Sequence, residues 1–157
     1  MKVVLDTTAL IYLNDFSRFS EICTAPEVII ETKDQASLMK LEGLSNMKIM
    51  DPLHEDVEEI KKVATTTGDI DKLSRTDIKV LALAKGNGSA IVSDDRNIQN
   101  VAEKIGLEYI SVFGEKIKKL VTWKKFCRNC LEYFDADSCP ICGTKLWRVM
   151  TGSKTIK

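Results

Sequence analysis

The sequence predicts an α/β fold, a parallel sheet covered by helices on both faces, followed by a small C-terminal module organised by four cysteines. Three observations predict it. Short apolar runs at 3–5, 47–50, 90–92 and 107–112 alternate with helix-compatible stretches, as parallel strands joined by crossover helices do. Acids close two of these runs, Asp6 the first, Asp94 and Asp95 the third. Near the far end, Cys127, Cys130, Cys139 and Cys142 form two C-x-x-C pairs.

Taken in order, the run 3–5 ends on Asp6 and gives way to Thr7, Thr8 and a helical stretch through Leu10, Ile11 and Leu13. Pro26 suits a first helical turn, and the helix it opens is expected to run toward Gly43, with Glu31 about one and a half turns in. Pro52 separates the strand at 47–50 from a helix over 53–64, whose acids Glu55, Asp56, Glu58 and Glu59 read as surface charge, Glu58 pairing with Lys62. His54, the sole histidine, starts that helix without an obvious partner. After a turn region at 65–71, Ser74 opens a helix with Ile78, Leu81 and Ala82 on its buried face. A Gly-Asn-Gly turn, the strand 90–92, a helix closed by Gly106 and a strand at 107–112 complete the first domain.

With 157 residues, 44% hydrophobic and 29% charged, the chain holds one well-cored domain and a small appendage. The net charge of zero hides a division: residues 115–157 carry ten basic and four acidic side chains, leaving thirteen and nineteen for 1–114. An acidic front suits cations and a basic back suits polyanions. The expected organisation is a first domain over 1–114, a basic, helix-compatible connector over 115–124, a ribbon over 125–150 and a basic tail over 151–157. No run reaches the length of a membrane span, and Asp6 interrupts any signal-peptide core, so a cytoplasmic protein with no membrane partner is expected.

Asp6, Glu31, Asp77, Asp94 and Asp95 fall at strand carboxyl ends or on helices able to face them. In an open α/β sheet that edge is where ligands bind. Converging carboxylates suit a hard divalent ion such as magnesium or manganese and leave room for water and a phosphate, which is the equipment of phosphodiester hydrolysis. Each acid also has a plain structural reading. Ser74 and Asp77 make a capping box, Asp6, Asp94 and Asp95 precede helices as caps, and Glu31 is solvated helix surface. Chemistry is favoured by their joint placement.

Four thiolates at C-x-x-C spacing, with Pro140 and Gly143 shaping the second pair, suit a closed structural zinc site. Iron in a four-thiolate site and redox disulfides are the alternatives. So short a module needs a metal to fold. Around it Lys124, Lys125, Arg128, Lys145 and Arg148 accompany Trp123, Phe126, Tyr133, Phe134 and Trp147, residue types that attract phosphate and stack on bases, although the aromatics also serve to cover a little core. Cys23 stands alone and reads as a buried free thiol.

The segments V-V-L-D-T-T-A-L-I, A-P-E-V-I-I-E, L-S-R-T-D-I-K-V-L-A-L-A and I-V-S-D-D-R-N together resemble the PIN-domain ribonucleases. With the cysteine module behind them, the chain is similar over nearly its whole length to the archaeal NIN-one-binding branch of that family. The resemblance implies a PIN-like sheet and a magnesium- or manganese-dependent endoribonuclease that matures the 3′ end of small-subunit ribosomal RNA. The zinc ribbon would aid RNA binding, and the partners would be the precursor RNA and the pre-ribosomal particle. By resemblance, Asp6 matches the first-strand acid, Glu31 the helix glutamate and Asp77 the third acid. A T-x-D pattern maps Ser93 onto the threonine and Asp95 onto the fourth acid, with Asp94 beside it as the alternative and serine as a mild departure. Thr7 and Ser93 would orient carboxylates or water. Three other readings stand beside this one: a toxin-type PIN ribonuclease acting on transfer or messenger RNA, a non-catalytic RNA-binding assembly factor, and a zinc-ribbon DNA-binding protein.

Overall fold

A computed structural model describes residues 1–33, 39 and 44–156. Five strands, β1 (Lys2–Leu5), β2 (Glu21–Thr24), β3 (Met47–Ile49), β4 (Ala90–Val92) and β5 (Tyr109–Ile110), form a parallel sheet in the order β3-β2-β1-β4-β5. Alternation along the strands divides the core. Val4, Cys23 and Ile91 face Ile60, Leu81 and Val101 on one side, while Val3, Leu5, Ile22 and Val92 face Ala9, Leu13, Phe16 and Phe19 on the other. Cys23 is the buried free thiol expected of it.

The strands are joined through α1 (Thr7–Tyr12), α2 (Pro26–Glu31), α3 (His54–Thr67), α4 (Arg75–Gly86) and α5 (Arg96–Lys104). Several differ from the sequence expectation for local reasons. The Pro26 helix ends at Glu31, where Thr32 turns extended and its hydroxyl donates to the Val28 carbonyl at 2.7 Å; the expected continuation over 34–38 and 40–43, Gly43 included, lies outside the described residues. α3 runs on to Thr67 and is closed by Gly68 in the left-handed region. On its surface Glu58 pairs with Lys61 rather than Lys62, and Asp56 and Glu59 pair with Lys85 of α4, tying the two helices together. β2 carries no signal strong enough to predict it.

The C-terminal part is a second sheet, antiparallel in the order β7-β6-β8, from β6 (Lys119–Cys127), β7 (Glu132–Tyr133) and β8 (Trp147–Thr155). Residues 119–124, expected as helix-compatible connector, are therefore strand, and 151–155, expected as tail, are the strand beside it. The helix reading fails because the β-branched and aromatic run from Val121 to Trp123 finds a partner in β8, with a bulge between Thr122 and Trp123. The two parts of the molecule are in contact. Asp69, 1% exposed, is met by Arg148 of β8 and by Asn100 of α5 at 2.6 Å, and the Asn100 amide also brackets Val121, donating to its carbonyl and accepting from its N–H at 2.8 Å each.

Candidate active site and cysteine centre

The strand order reverses between β1 and β4, which opens a crevice at their carboxyl ends. Leu5 pairs with Val92, so Asp6 and Ser93 emerge side by side, and the Asp6 N–H donates to the Val92 carbonyl at 3.3 Å. The five acids of the sequence reading gather around this point. Asp6 caps α1, with Oδ1 accepting the Ala9 N–H at 2.6 Å. Asp77 and Ser74 form the expected capping box of α4. Asp95 caps α5 through Oδ1, which accepts the Asn97 and Ile98 N–H groups. Capping and site formation are thus the same act. The backbone bonds fall on one oxygen of each carboxylate, so each cap fixes its side chain and leaves the second oxygen outside the cap.

Glu31 reaches the group from α2. Its Oε2 accepts the Thr7 hydroxyl at 3.1 Å and its Oε1 accepts the Thr76 hydroxyl, so two threonines clamp the end of a short helix. Asp94 is engaged differently. Its carboxylate accepts from the Ser111 hydroxyl, the Val112 N–H at 3.0 Å and the Phe113 N–H at 3.4 Å. These bonds replace the ladder beyond Ile110, which is why β5 is shorter than the run 107–112 suggested.

Burial pushes Asp6 up to about 6, against the pull of the Ser93 hydroxyl and the Ala9 N–H and with added push from the charges of Asp77 and Asp94. Asp77 is likewise raised, first by burial and then by the charges of Asp95 and Glu31, against its bonds to Ser74. The acids therefore feel one another. Hard-ion chemistry suits such a group: magnesium keeps several waters and takes only one or two carboxylates directly.

The cysteines are placed as a metal site. Cys127, Cys130, Cys139 and Cys142 present sulfurs that all lie within 4.8 Å of one another, with Cys127 to Cys142 at 3.6 Å and Cys130 to Cys139 at 3.7 Å. A tetrahedron with zinc–sulfur bonds of about 2.3 Å has edges of about 3.8 Å, so the donor set fits zinc closely. The Cys130 N–H donates to the Cys127 sulfur, and Leu131 and Gly143, each following the second cysteine of a pair, both take positive φ to turn the knuckle. Cys127, Cys139 and Leu146 are the buried residues of this small core.

Residues 3–86 match the family described as the PIN domain of ribonuclease. The chain is 39% identical over 147 residues to the endoribonuclease Nob1 of Archaeoglobus fulgidus, an alignment spanning 90% of this chain and 87% of the relative. It is 35% identical to the Nob1 endoribonuclease of Pyrococcus abyssi, over 92% of this chain and 91% of that one. The chain belongs to the Nob1 family of PIN-domain endoribonucleases. A protein named ribonuclease VapC1 from Thermoplasma acidophilum is 33% identical over 94% of this chain and 78% of its own length, so the likeness extends through the cysteine module in more than one named ribonuclease.

Within this PIN fold the sequence reading missed three side chains. Thr76, buried in α4, holds Glu31. Gln99, fully buried in α5, donates to the Ser93 and Glu115 carbonyls and accepts the Ile117 N–H at 3.0 Å. Asn100 does the same for Val121 and Asp69. The only sequence signal was a pair of amides on the face of an amphipathic helix that should have been apolar. The basic residues expected to meet RNA divide into two groups. Lys125 pairs with Asp71 and Asp137, and Arg148 with Asp69 while stacking on Trp123 at 4.3 Å, so both are occupied within the molecule. Lys124, Arg128 and Lys145 stay exposed, Arg128 lying 3.9 Å over the Trp147 ring.

Proposed function

We propose that this Nob1-family enzyme is a divalent-metal-dependent endoribonuclease that matures the 3′ end of the small-subunit ribosomal RNA precursor. The supporting observation is the state of Asp6 and Asp77, two carboxylates at the strand switch that burial and neighbouring acids push toward protonation, a condition that a bound cation relieves. Asp6, Glu31, Asp77 and Asp95 would hold magnesium or manganese, with Asp94 spent on fixing the end of β5. Such an ion, when bound, supplies Lewis acidity and countercharge for attack of water on a phosphodiester. Thr7, Thr76 and Ser93 keep the carboxylates oriented. The four cysteines would hold structural zinc, and the ribbon, with Lys124, Arg128 and Lys145 exposed, would hold the precursor RNA within a pre-ribosomal particle in the cytoplasm.

The test is cleavage of an RNA spanning the small-subunit 3′ end and its trailer, with manganese or with EDTA, for the parent protein beside Asp77→Asn. Metal-dependent cutting at one junction, lost in the variant, is the expected result. Tight binding without cutting would make the protein an assembly factor, and preferential cutting of transfer or messenger RNA would refute the ribosomal target.

A further inference from the structure

We infer that single-stranded RNA reaches the acidic site along a basic groove between α5 and the segment that leads into β6, and that Arg96, Lys116, Lys118 and Lys119 hold its phosphates there. The groove has a volume of about 720 Å³, room for more than one nucleotide, and is lined by these four cations with Asn97 and Trp123 among its other walls. Its end nearest the site is set by Arg96 and Asn97, the first residues of α5, directly after the capping Asp95. It ends at Trp123, which also lines a second cavity of about 320 Å³ with Lys124 and Tyr133, on the ribbon side. Trp123 thus lines both cavities, between the α5 end that follows Asp95 and the ribbon residue Tyr133.

Two buried amides hold this wall in place. Gln99 ties the Ser93 carbonyl, next to the acids, to the backbone at Glu115 and Ile117, so the residues carrying Lys116 and Lys118 are registered against the site rather than loose. Asn100 fixes the other end at Val121. The charges are available. Lys118 and Lys119 are exposed, Lys116 lies 5.2 Å from the Tyr109 ring, and Arg96 pairs with Glu115 at 3.5 Å with both side chains about four-fifths exposed, a pair that is given up at little cost. The cluster of acids repels a polyanion, and cations placed beside it supply the attraction it lacks. This groove is distinct from the exposed ribbon residues Lys124, Arg128 and Lys145, and it deepens the endoribonuclease reading on which it rests.

The test measures binding, not cleavage, so that it stands apart from the choice of ribosomal target. A fluorescent single-stranded RNA oligonucleotide is titrated, without added magnesium or manganese and over a range of salt, into the Asp77→Asn protein, into the same protein with Lys116→Ala, Lys118→Ala and Lys119→Ala, and into a control with Lys62→Ala, Lys72→Ala and Lys104→Ala, exposed lysines away from the groove. The groove variant is expected to bind at least tenfold more weakly, with a salt slope reduced by about 2, since each lost phosphate contact on a single strand removes about 0.7. The control keeps parental affinity, and unchanged melting temperature and zinc content show that all three proteins are folded. Parental affinity and slope in the groove variant, or an equal loss in the control, would overturn the inference.

Discussion

Gly68 lies against the backbone of Trp123 so closely that a Cβ at position 68 would stand 2.2 Å from the Trp123 carbonyl oxygen. Its φ of +74° asks for glycine a second time. One residue therefore serves both as the stop of α3 and as the seat of β6, the place where the nuclease domain admits the ribbon. Gly68→Ala is expected to cost about 2–4 kcal/mol, since the left-handed backbone alone accounts for about 1 and the overlap is with backbone that cannot rotate away. Urea unfolding reads this directly, and a loss below about 1 kcal/mol would mean that β6 is not seated there.

Arg148→Ala removes the guanidinium from Asp69, leaving a carboxylate that is 1% exposed with Asn100 as its remaining partner. Breaking a buried pair in this way costs about 3–5 kcal/mol. Asp69→Asn combined with Arg148→Met is expected to recover most of that. Arg128→Ala, by contrast, should weaken RNA binding with stability nearly unchanged, because its contact with Trp147 is at the surface. Comparing the variants by urea midpoint and RNA affinity separates an interdomain arginine from an RNA-facing one.

The raised Asp6 predicts an unusual pH dependence of the metal-free protein. Its ordinary value of 3.8 rises to about 6 on folding, so between those pH values the native state binds more proton than the unfolded state. Its contribution is greatest below the lower value and falls as pH rises through the window, by about 3 kcal/mol at one pH unit per 1.36 kcal/mol. Asp6→Asn should flatten this segment of the stability curve and raise stability at pH 7, while abolishing cleavage. Manganese should stabilise the parent protein at pH 7 more than at pH 5 and have little effect on the variant. The absence of any difference between parent and variant across that window would show that Asp6 is not held as described.

Metal removal should act on both parts of the molecule. One zinc per chain is expected by elemental analysis, and Cys130→Ser should lose it. With so few buried residues in the ribbon core, the sheet from β6 to β8 should unfold on chelation, and the loss of Arg148 from Asp69 should lower the melting temperature of the nuclease domain as well. The near-ultraviolet signal of Trp123 and Trp147 reports the first effect. An unchanged signal in protein stripped of metal would show that the ribbon folds without it.

Much of the site was legible because its signals are local. Acids at strand ends, the Ser74 and Asp77 capping box and the paired cysteines are set by spacings of three or four residues, and the helices and knuckles they announce form as announced. β2 was not legible, since the four residues Glu21–Thr24 are too short to show a period. Asp94 and Asp95, equivalent as text, differ in the structure by the neighbours that meet their oxygens, Ser111 and Val112 for one and the start of α5 for the other.

The sequence by itself determined the parallel sheet, the carboxylates at its carboxyl edge and the four-thiolate centre, because hydrophobic period, caps and ligand spacing are properties of neighbouring residues. Only the tertiary structure decided that 119–124 is strand rather than helix, and that Arg148 turns inward to an aspartate 79 residues away instead of outward to a substrate. The reason is physical. A lysine-rich segment has no strong preference of its own, and a buried charge needs its partner wherever the chain can supply one, so both were settled by what the rest of the fold left unpaired.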